Sequence, residues 1–346
     1  MPKVLLVKMS SLGDVVHLLP ALTDACAAIP DLQFDWVVER SFAPIAALHP
    51  AVRRVLPIEL RKWRHAPLQA RTAFVAFLEA LQSERYDLVL DAQGLIKSAI
   101  VSTLAHGPRT GFSFVSAREP IASAVYTRRV RIPRDLHAIE RLRQLMASAL
   151  GYPMPGESVD FGVTARPARP TRAPARYLLF LHGTTWSSKQ WPAHFWRALC
   201  QRATAAGWSV RLAFASADEQ ARAQRIAQHL EHVDLLPPTA LLDLLPWIAH
   251  AGGVVSVDTG LGHVAAAFAV PTVMLFGPTD AQLTGGRGAR TVSVCAAFAC
   301  APCLDRRCRY VGPAVPDDNG IAVAPPCFAS VPPEHVWSAL NEVMQR

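Results

Sequence analysis

The sequence predicts an α/β protein made of two domains of similar construction. Short apolar runs rich in Val, Leu and Phe alternate with longer segments of helical periodicity, which is typical of βα units around a parallel sheet. The chain has 346 residues, more than a single hydrophobic core usually supports. A segment rich in proline and arginine interrupts the alternation near residue 170 and has the composition of a linker.

The alternation predicts a similar series of elements on each side of this linker. In the first half we expect strands at residues 3–8, 33–39, 55–58 and 86–91, and helices at residues 15–28, 71–83, 97–105 and 137–150. In the second half we expect strands at residues 177–182, 208–214, 254–257 and 272–276, and helices at residues 193–206, 217–230, 241–251, 260–269 and 334–345. The expected organisation is a first domain at residues 1–165, a linker at 166–176, a second domain at 177–332 and a C-terminal helix at 333–346.

Composition narrows the class of protein further. Hydrophobic residues make up 51% of the chain and charged residues 18%, which indicates a globular protein and not a disordered one. No apolar run reaches the roughly 20 residues of a membrane-spanning helix, and the first apolar run is too short for a signal peptide. The seven cysteines do not suggest a secreted disulfide framework, so we expect a cytoplasmic protein.

The charge balance indicates an anionic partner. Lys and Arg number 35 against 27 Asp and Glu, which gives a net charge of +8. The basic residues cluster at residues 61–64, 128–134 and 166–172. Such clusters suit a phosphate-bearing substrate, a membrane surface or a nucleic acid, although each also fits an ordinary solvated surface. No nucleic-acid motif accompanies the charge, which disfavours the last of these partners.

The first strand runs into a turn that ends in a carboxylate, Asp14, where a helix is expected to begin. One interpretation is structural, because a carboxylate at a helix start accepts hydrogen bonds from free backbone N–H groups. The other is functional, because the carboxyl end of a parallel strand faces the ligand-binding edge of the sheet. Ser10 and Ser11 could cap the helix equally well, so both interpretations remain open.

The second domain opens with FLHGTTWSSKQWP, residues 180–192. Gly183, the hydroxyls of Thr184 and Thr185 and the ammonium of Lys189 lie between a strand and the next helix. Hydroxyls, backbone N–H groups and a cation at a helix start form the kind of site that holds phosphate. The spacing differs from that of a Walker loop, so it predicts an anion site but not an NTPase.

A second candidate stretch is VVSVDTGLGH, residues 254–263. A buried strand ends at Asp258, and the following helix begins beside Thr259 and Gly260, where a ligand can approach the backbone closely. This arrangement predicts a second phosphate or sugar contact, with Asp258 available for hydroxyl groups. His263 is either a ligand contact or a core histidine.

Several other chemistries lack their usual motifs. The first strand–turn–helix has no Gly-x-Gly-x-x-Gly, which disfavours a nicotinamide enzyme, and the absence of Asp-x-Asp and His-Glu-x-x-His leaves a catalytic metal without obvious ligands. Near the C-terminus, four cysteines have spacing compatible with a structural zinc site: Cys300, Cys303, Cys308 and Cys327. Free thiols that pack an inserted loop are an equally good explanation.

These motifs together resemble glycosyltransferase family nine, over nearly the whole chain. The resemblance rests on VKMSSLGDVVHLLPALTDA (7–25), FDWVVE (34–39), YDLVLDAQGLIKSA (86–99), AREP (117–120), FLHGTTWSSKQWP (180–192), VVSVDTGLGH (254–263) and FGPTD (276–280). It implies the GT-B architecture, with two Rossmann-like domains that face each other across a cleft. It also implies inverting transfer of L-glycero-D-manno-heptose from ADP-heptose to the inner Kdo of Kdo-lipid A, in lipopolysaccharide core synthesis, without a metal or another cofactor.

The resemblance also implies roles for individual residues. Asp14 becomes the general base. The implied donor-binding residues are Thr184, Thr185, Lys189, Glu219, Asp258, Thr259, Gly260 and His263. Within this set Glu219 would bind the ribose, Asp258 the heptose hydroxyls, and the other residues mainly the diphosphate.

The acceptor side is assigned less specifically. Basic and polar residues of the first domain are candidates for the acceptor's carboxylates and phosphates: Ser10, Arg61, Lys62, Arg64, Lys97 and Arg118. A lipid acceptor implies peripheral attachment to the cytoplasmic face of the inner membrane. The first loop is similar to that of type I enzymes in the family, whereas the cysteine-bearing segment is similar to type II. A transferase that uses the same donor on another acceptor, or a non-catalytic nucleotide-sugar binder, therefore remains an alternative.

Overall fold

The computed structural model describes residues 2–346, except for the side chains of residues 61, 64, 67 and 69. The chain divides into two compact units, which separate between residues 165 and 166. Residues 166–176, the expected linker, form no helix or strand and belong to the second unit. There Arg166 donates hydrogen bonds to the backbone carbonyls of Ala249 and Phe268.

The first unit contains one six-stranded parallel sheet with the strand order β3-β2-β1-β4-β5-β6. Its strands are β1 Lys3–Val7, β2 Gln33–Glu39, β3 Val52–Ile58, β4 Leu88–Asp91, β5 Arg109–Phe112 and β6 Arg128–Val130. The four strands predicted for this half are confirmed. The sequence analysis missed β5 and β6, which have only four and three residues and contain arginine, so they present no apolar run.

The helices of the first unit fill the connections between these strands. They are α1 Leu12–Val16, α2 Leu19–Ala28, α3 Ala43–Ala46, α4 Leu60–His65, α5 Pro67–Gln82, α6 Ile96–Leu104 and α7 Ala138–Leu150. The single helix predicted at residues 15–28 is in fact two, because the chain turns at His17 and Leu18 before α2 begins. Pro20 lies in the first turn of α2, where backbone N–H groups have no acceptor within the helix, so the missing N–H of proline costs no hydrogen bond.

The second unit repeats this sheet topology, with the strand order β12-β11-β10-β7-β8-β9. Its strands are β7 Tyr177–Leu181, β8 Ser209–Leu212, β9 Val233–Leu235, β10 Gly253–Val257, β11 Thr272–Phe276 and β12 Thr291–Cys295. Every residue of β7, β10 and β11 is buried, as expected for strands covered by helices on both faces. The predicted strands are confirmed, and β9 and β12 are additional.

The helices of the second unit are α8 Ala193–Ala205, α9 Ala217–Ala227, α10 Leu241–Ala249, α11 Gly260–Ala267, α12 Ala281–Thr284 and α13 Pro333–Gln345. The five helices predicted for this half are confirmed, with α9 ending earlier than expected. The C-terminal helix α13 packs on this unit, against α8 and the strands β10 to β12. Its buried face consists mainly of Val336, Leu340 and Val343.

The strand order determines where each unit can bind a ligand. In the first sheet the chain moves outward from β1 to β3 and then returns to β4 on the other side of β1, and in the second sheet β7 and β10 have the same relation. The loops after these central strands therefore diverge and leave a crevice at the carboxyl edge of the sheet. No helix among residues 2–346 is both long enough and apolar enough to cross a membrane.

Candidate functional site

The loop after β1 holds Asp14 in the first turn of α1. The backbone N–H and the hydroxyl of Ser11 donate to Oδ2 of Asp14, at 2.9 and 2.8 Å. Nζ of Lys8, a buried residue just beyond the end of β1, lies 3.2 Å from Oδ1. The carboxylate therefore caps the helix, as the structural interpretation expected. Its side chain is nevertheless 36% exposed, so it remains accessible from solvent.

The surroundings of Asp14 keep its carboxylate ionised. Burial alone would raise the pKa of Asp14, but the Lys8 ammonium, the Ser11 N–H, His17 and the Ser11 hydroxyl together outweigh it. The pKa of Asp14 consequently lies well below its ordinary value. At neutral pH this group is a hydrogen-bond acceptor and a weak base.

The loop after β4 forms hydrogen bonds with the turn that carries Asp14. Oε1 of Gln93 accepts the backbone N–H of Met9 at 2.8 Å, and its Nε2 lies 3.4 Å from the Ser10 hydroxyl. Gln93 is held in turn by Asp91, whose Oδ1 accepts the backbone N–H groups of Gln93 and Gly94. The sequence analysis assigned no role to Gln93 or Lys8, although both belong to motifs on which the family resemblance rests.

The predicted acceptor-binding residues are only partly brought together. Nζ of Lys97, at the start of α6, donates to the Ser10 hydroxyl at 3.0 Å, which places a cation beside the turn of Asp14. Lys62 is exposed and pairs with Glu59 on its own helix at 3.7 Å, and Arg118 lies exposed in the loop after β5. The side chains of Arg61 and Arg64 lie outside the described residues.

In the second unit an ion pair joins the loops after the two central strands. Nζ of Lys189, in the loop after β7, lies 2.6 Å from Oδ2 of Asp258, which directly follows β10. The Thr279 hydroxyl donates to the same oxygen at 2.6 Å. Lys189 also lies over the ring of Trp186, with its ammonium 4.5 Å from the ring centroid. The structure thus brings together two predicted donor-binding residues and adds Thr279, which the sequence analysis missed although FGPTD contains it.

Glu219 lies close to the same loop. Its Oε2 accepts the backbone N–H of Ala215 at 2.7 Å, and its own N–H is capped by the Ser216 hydroxyl. A Cβ atom at Gly183 would come within 2.5 Å of the Glu219 carboxylate, so a larger residue there would displace this side chain. Thr184 and Thr185, half-buried and exposed respectively, follow directly along the chain.

The start of α11 completes the candidate site in this unit. Thr259 is the N-cap residue in an extended conformation, and Gly260 is the first helical residue, so the first N–H groups of the helix lie next to Asp258. A Cβ at Gly262 would lie 2.9 Å from Met274 and 3.0 Å from Ser256, so this glycine lets helix and strand pack closely. His263 is buried in the helix, as its core interpretation expected.

Of the two explanations for the four C-terminal cysteines, the structure favours free thiols over a zinc site. Cys300, Cys303 and Cys308 are exposed, whereas Cys327 is buried. Among the residues that the structure describes, no group of three or more His, Cys, Asp or Glu side chains is arranged to hold a metal ion. Burial, with smaller contributions from the other three thiols, raises the pKa of Cys327 to about 12. The geometry fits free thiols.

Comparison with known proteins shows to which family the chain is similar. The model of glycosyltransferase family 9 (heptosyltransferase) matches residues 74–312. The lipopolysaccharide heptosyltransferase 1 of Pseudomonas aeruginosa is 46% identical over 348 residues, which cover 99% of this chain and 98% of the relative. The protein of the same name from Escherichia coli K12 is 46% identical over 293 residues, 83% of this chain and 91% of the relative.

Solved structures show the same relationship. The E. coli heptosyltransferase WaaC with ADP is 44% identical, covers 85% of this chain and 93% of its own, and superposes with a TM-score of 0.80. The E. coli heptosyltransferase II is 20% identical with a TM-score of 0.73, covering 99% of this chain and 98% of its own, and shows the shared fold. The two Rossmann-like units are thus those of a GT-B glycosyltransferase, and the chain belongs to glycosyltransferase family 9, the heptosyltransferases.

Proposed function

We propose that this chain transfers L-glycero-D-manno-heptose from ADP-heptose to the inner Kdo of Kdo-lipid A, with inversion and without a metal. The observation that carries the proposal is the contact of Asp258 with Lys189 and Thr279, which places a cation and hydroxyl-binding groups at the crevice of the second unit. The relatives named lipopolysaccharide heptosyltransferase 1 support this assignment, because two of them are 46% identical to this chain. A 43% identical structure contains ADP-2-deoxy-2-fluoro heptose, which supports the donor.

The second unit is proposed to bind the donor. The Lys189 ammonium, the hydroxyls of Thr184 and Thr185 and the first N–H groups of α11 would neutralise the diphosphate, which carries the negative charge that develops as the sugar departs. Glu219 suits the ribose hydroxyls, because a carboxylate accepts two hydrogen bonds at once. Asp258 would hold heptose hydroxyls while it keeps Lys189 in position.

The first unit is proposed to supply the base. The acceptor hydroxyl of Kdo attacks the anomeric carbon of heptose, the bond to the diphosphate breaks, and Asp14 takes the hydroxyl proton. Since the pKa of Asp14 is lowered, it cannot deprotonate a sugar hydroxyl in advance. The proton therefore moves late, after positive charge on the sugar has begun to acidify the attacking hydroxyl.

The charge of the first unit supports an anionic acceptor. Lys97 and Ser10 adjoin the base, and Lys62 and Arg118 provide further exposed polar groups for carboxylates and phosphates. We propose that the protein works at the cytoplasmic face of the inner membrane, where such a lipid acceptor would present its sugar.

The acceptor assignment is tested directly with the purified chain and ADP-heptose. Kdo-lipid A should accept one heptose, whereas an acceptor that already carries a heptose on its inner Kdo should not react. Transfer should continue at the same rate in EDTA, because the lysine, the hydroxyls and the N–H groups provide the positive charge. Preferential use of the heptosylated acceptor would instead identify a type II activity, and loss of activity in EDTA would refute the metal-free mechanism.

Replacing Asp14 tests its proposed role as the base. Asp14→Asn keeps an oxygen that can accept the Ser11 N–H, so the helix cap is preserved while the basic group is lost. We expect kcat to fall about a thousandfold and the Kd for ADP-heptose to change by less than about threefold. The control Ser11→Ala removes one donor to the carboxylate but not the base, and should reduce kcat by less than about tenfold. Turnover near that of the wild type in Asp14→Asn would exclude this role.

Replacing Lys8 tests how the base is tuned. Lys8→Gln removes the ammonium that lies 3.2 Å from Asp14, so the pKa of Asp14 should rise toward its ordinary value. Protonation of Asp14 abolishes its function as a base, so the acidic limb of the profile of kcat/KM against pH should move to higher pH in the variant. The measurement is that profile for both proteins at saturating acceptor. An unshifted acidic limb would show that the limb does not report Asp14.

A double-mutant cycle separates the phosphate role of Lys189 from its ion pair. Lys189→Met should weaken binding of ADP, which carries the diphosphate but no heptose, at least about tenfold, but part of this loss comes from the unpaired carboxylate of Asp258. Lys189→Met with Asp258→Asn removes the unpaired charge and should recover only part of the affinity, as measured by calorimetry. Affinity for ADP equal to that of the wild type in this double variant would contradict a direct contact between Lys189 and the diphosphate.

A further inference from the structure

The first unit has a group of exposed apolar side chains that are not buried in its core. Ile96 and Ile100 lie on α6, Ile121 lies on the short 3₁₀ helix Pro120–Val125, and Phe114 and Val115 lie in the loop after β5. These five side chains, here called the apolar surface, are between 45% and 66% exposed. Large aliphatic and aromatic groups are seldom left in water together unless something covers them.

The elements that carry the apolar surface are packed side by side. Ala99 of α6 is buried against Ala122 and Tyr126, so the inner faces of α6 and of the 3₁₀ helix are already occupied by each other. The carboxylate of Glu119 accepts the backbone N–H of Ile96 at 2.7 Å, which ties the loop after β5 to the start of α6. Ile100 follows Ile96 by one helical turn and lies on the same outward side. The apolar surface is therefore built on rigid, mutually supported segments.

Basic residues lie on or next to the segments that carry the apolar surface. The Arg129 guanidinium lies 5.3 Å from the centroid of the Phe114 ring, and Arg118 is exposed between Val115 and Ile121 in the sequence. Arg128 and Arg131 are exposed on either side of Arg129. Lys97 lies between the two isoleucines of α6 in the sequence. Of the acidic residues nearby, Glu119 is engaged with the Ile96 N–H.

We propose that the apolar surface docks onto an anionic lipid bilayer, with its side chains in the acyl region and the surrounding cations at the headgroups. Apolar groups with a cationic border match a membrane surface, since hydrocarbon burial and attraction to anionic lipids both contribute to binding. The proposal rests on the proposed function, in which the acceptor is anchored in a membrane. Lys97 connects the two sites, because its Nζ donates to Ser10 in the turn that holds Asp14.

Helix α6 connects the turn of Asp14 to the apolar surface. The helix start reaches the Asp14 turn through Lys97, and Ile100 lies about one turn further along the same helix. A docked protein would thus hold Asp14 close to the headgroup layer, where the first sugars of a membrane-anchored acceptor are found. Docking would raise the local concentration of acceptor at the base without any change in chemistry.

Binding to vesicles tests the proposal independently of catalysis. The full chain is mixed with vesicles of phosphatidylcholine and phosphatidylglycerol at about three to one, or of phosphatidylcholine alone, and the bound fraction is measured by flotation. The wild type should bind the anionic vesicles, and Ile100→Ser with Ile121→Ser should weaken this binding at least about tenfold. The matched control is Leu242→Ser with Val311→Ser, which removes two exposed apolar side chains from the second unit and should bind as the wild type does.

Two activity measurements separate this proposal from the proposed function. With a water-soluble acceptor that lacks acyl chains, the Ile100→Ser, Ile121→Ser variant should match the wild type within about twofold, because exposed positions away from the site are replaced. With Kdo-lipid A in vesicles its rate should fall in parallel with vesicle binding. If the wild type transfers heptose to neither acceptor, the proposed function fails, while flotation still decides whether the surface binds lipid.

Several outcomes would overturn the docking proposal. These are failure of the wild type to bind anionic vesicles, equal binding by the wild type and the Ile100→Ser, Ile121→Ser variant, and equal loss of binding in the control variant. A shift from dimer to monomer in the variant, seen by light scattering, would show that a second copy of the chain covers the apolar surface instead.

Discussion

Parallel strand direction is the constraint on which the site depends. Every strand of each sheet ends at the same edge, and the two central strands have no loop crossing between them there. Charged groups at that edge adjoin a buried, apolar sheet, so each must have a compensating partner close by. Lys8 with Asp14 in the first unit, and Lys189 with Asp258 in the second, meet this requirement with partners from the loops after the central strands.

These ion pairs also shape what the site can do. In the proposed function a diphosphate at Lys189 shares the ammonium with Asp258, so the carboxylate would limit how tightly the nucleotide is held while it fixes where the ammonium lies. An enzyme that binds its substrate and its product equally tightly gains no rate from that binding. A cation that is already in place where negative charge develops on the leaving group does accelerate transfer. In the proposed function the partly buried ion pair therefore fixes the position of the Lys189 ammonium at the expense of affinity for the nucleotide.

The sequence alone predicts the parts of this structure that depend on local pattern. Strands such as β7 and β10 are continuous buried apolar runs, and Lys189 and Asp258 lie in the loops that follow them, so both could be assigned to the candidate site. Strand β6 was missed, because its Arg128 and Arg129 are exposed and only its third residue is buried. Gln93 was missed for a different reason. It contacts Met9, which is 84 residues away in the sequence, and short-range sequence patterns do not predict such a contact.

The two interpretations of Asp14 that the sequence left open are compatible in the structure. Capping uses Oδ2, which accepts both donors of Ser11, and Oδ1 faces the Lys8 ammonium in a carboxylate that remains 36% exposed. Capping makes the Asp14 carboxylate a weaker base, since every hydrogen bond to the ionised form lowers its pKa. It also removes rotational freedom, so in the proposed mechanism the oxygen that would meet the acceptor hydroxyl does not have to be ordered during the reaction. For a transfer in which the proton moves late, a fixed weak base suits the reaction better than a mobile strong one. The positive charge on the sugar, and not the strength of the base, then makes the attacking hydroxyl acidic enough to lose its proton.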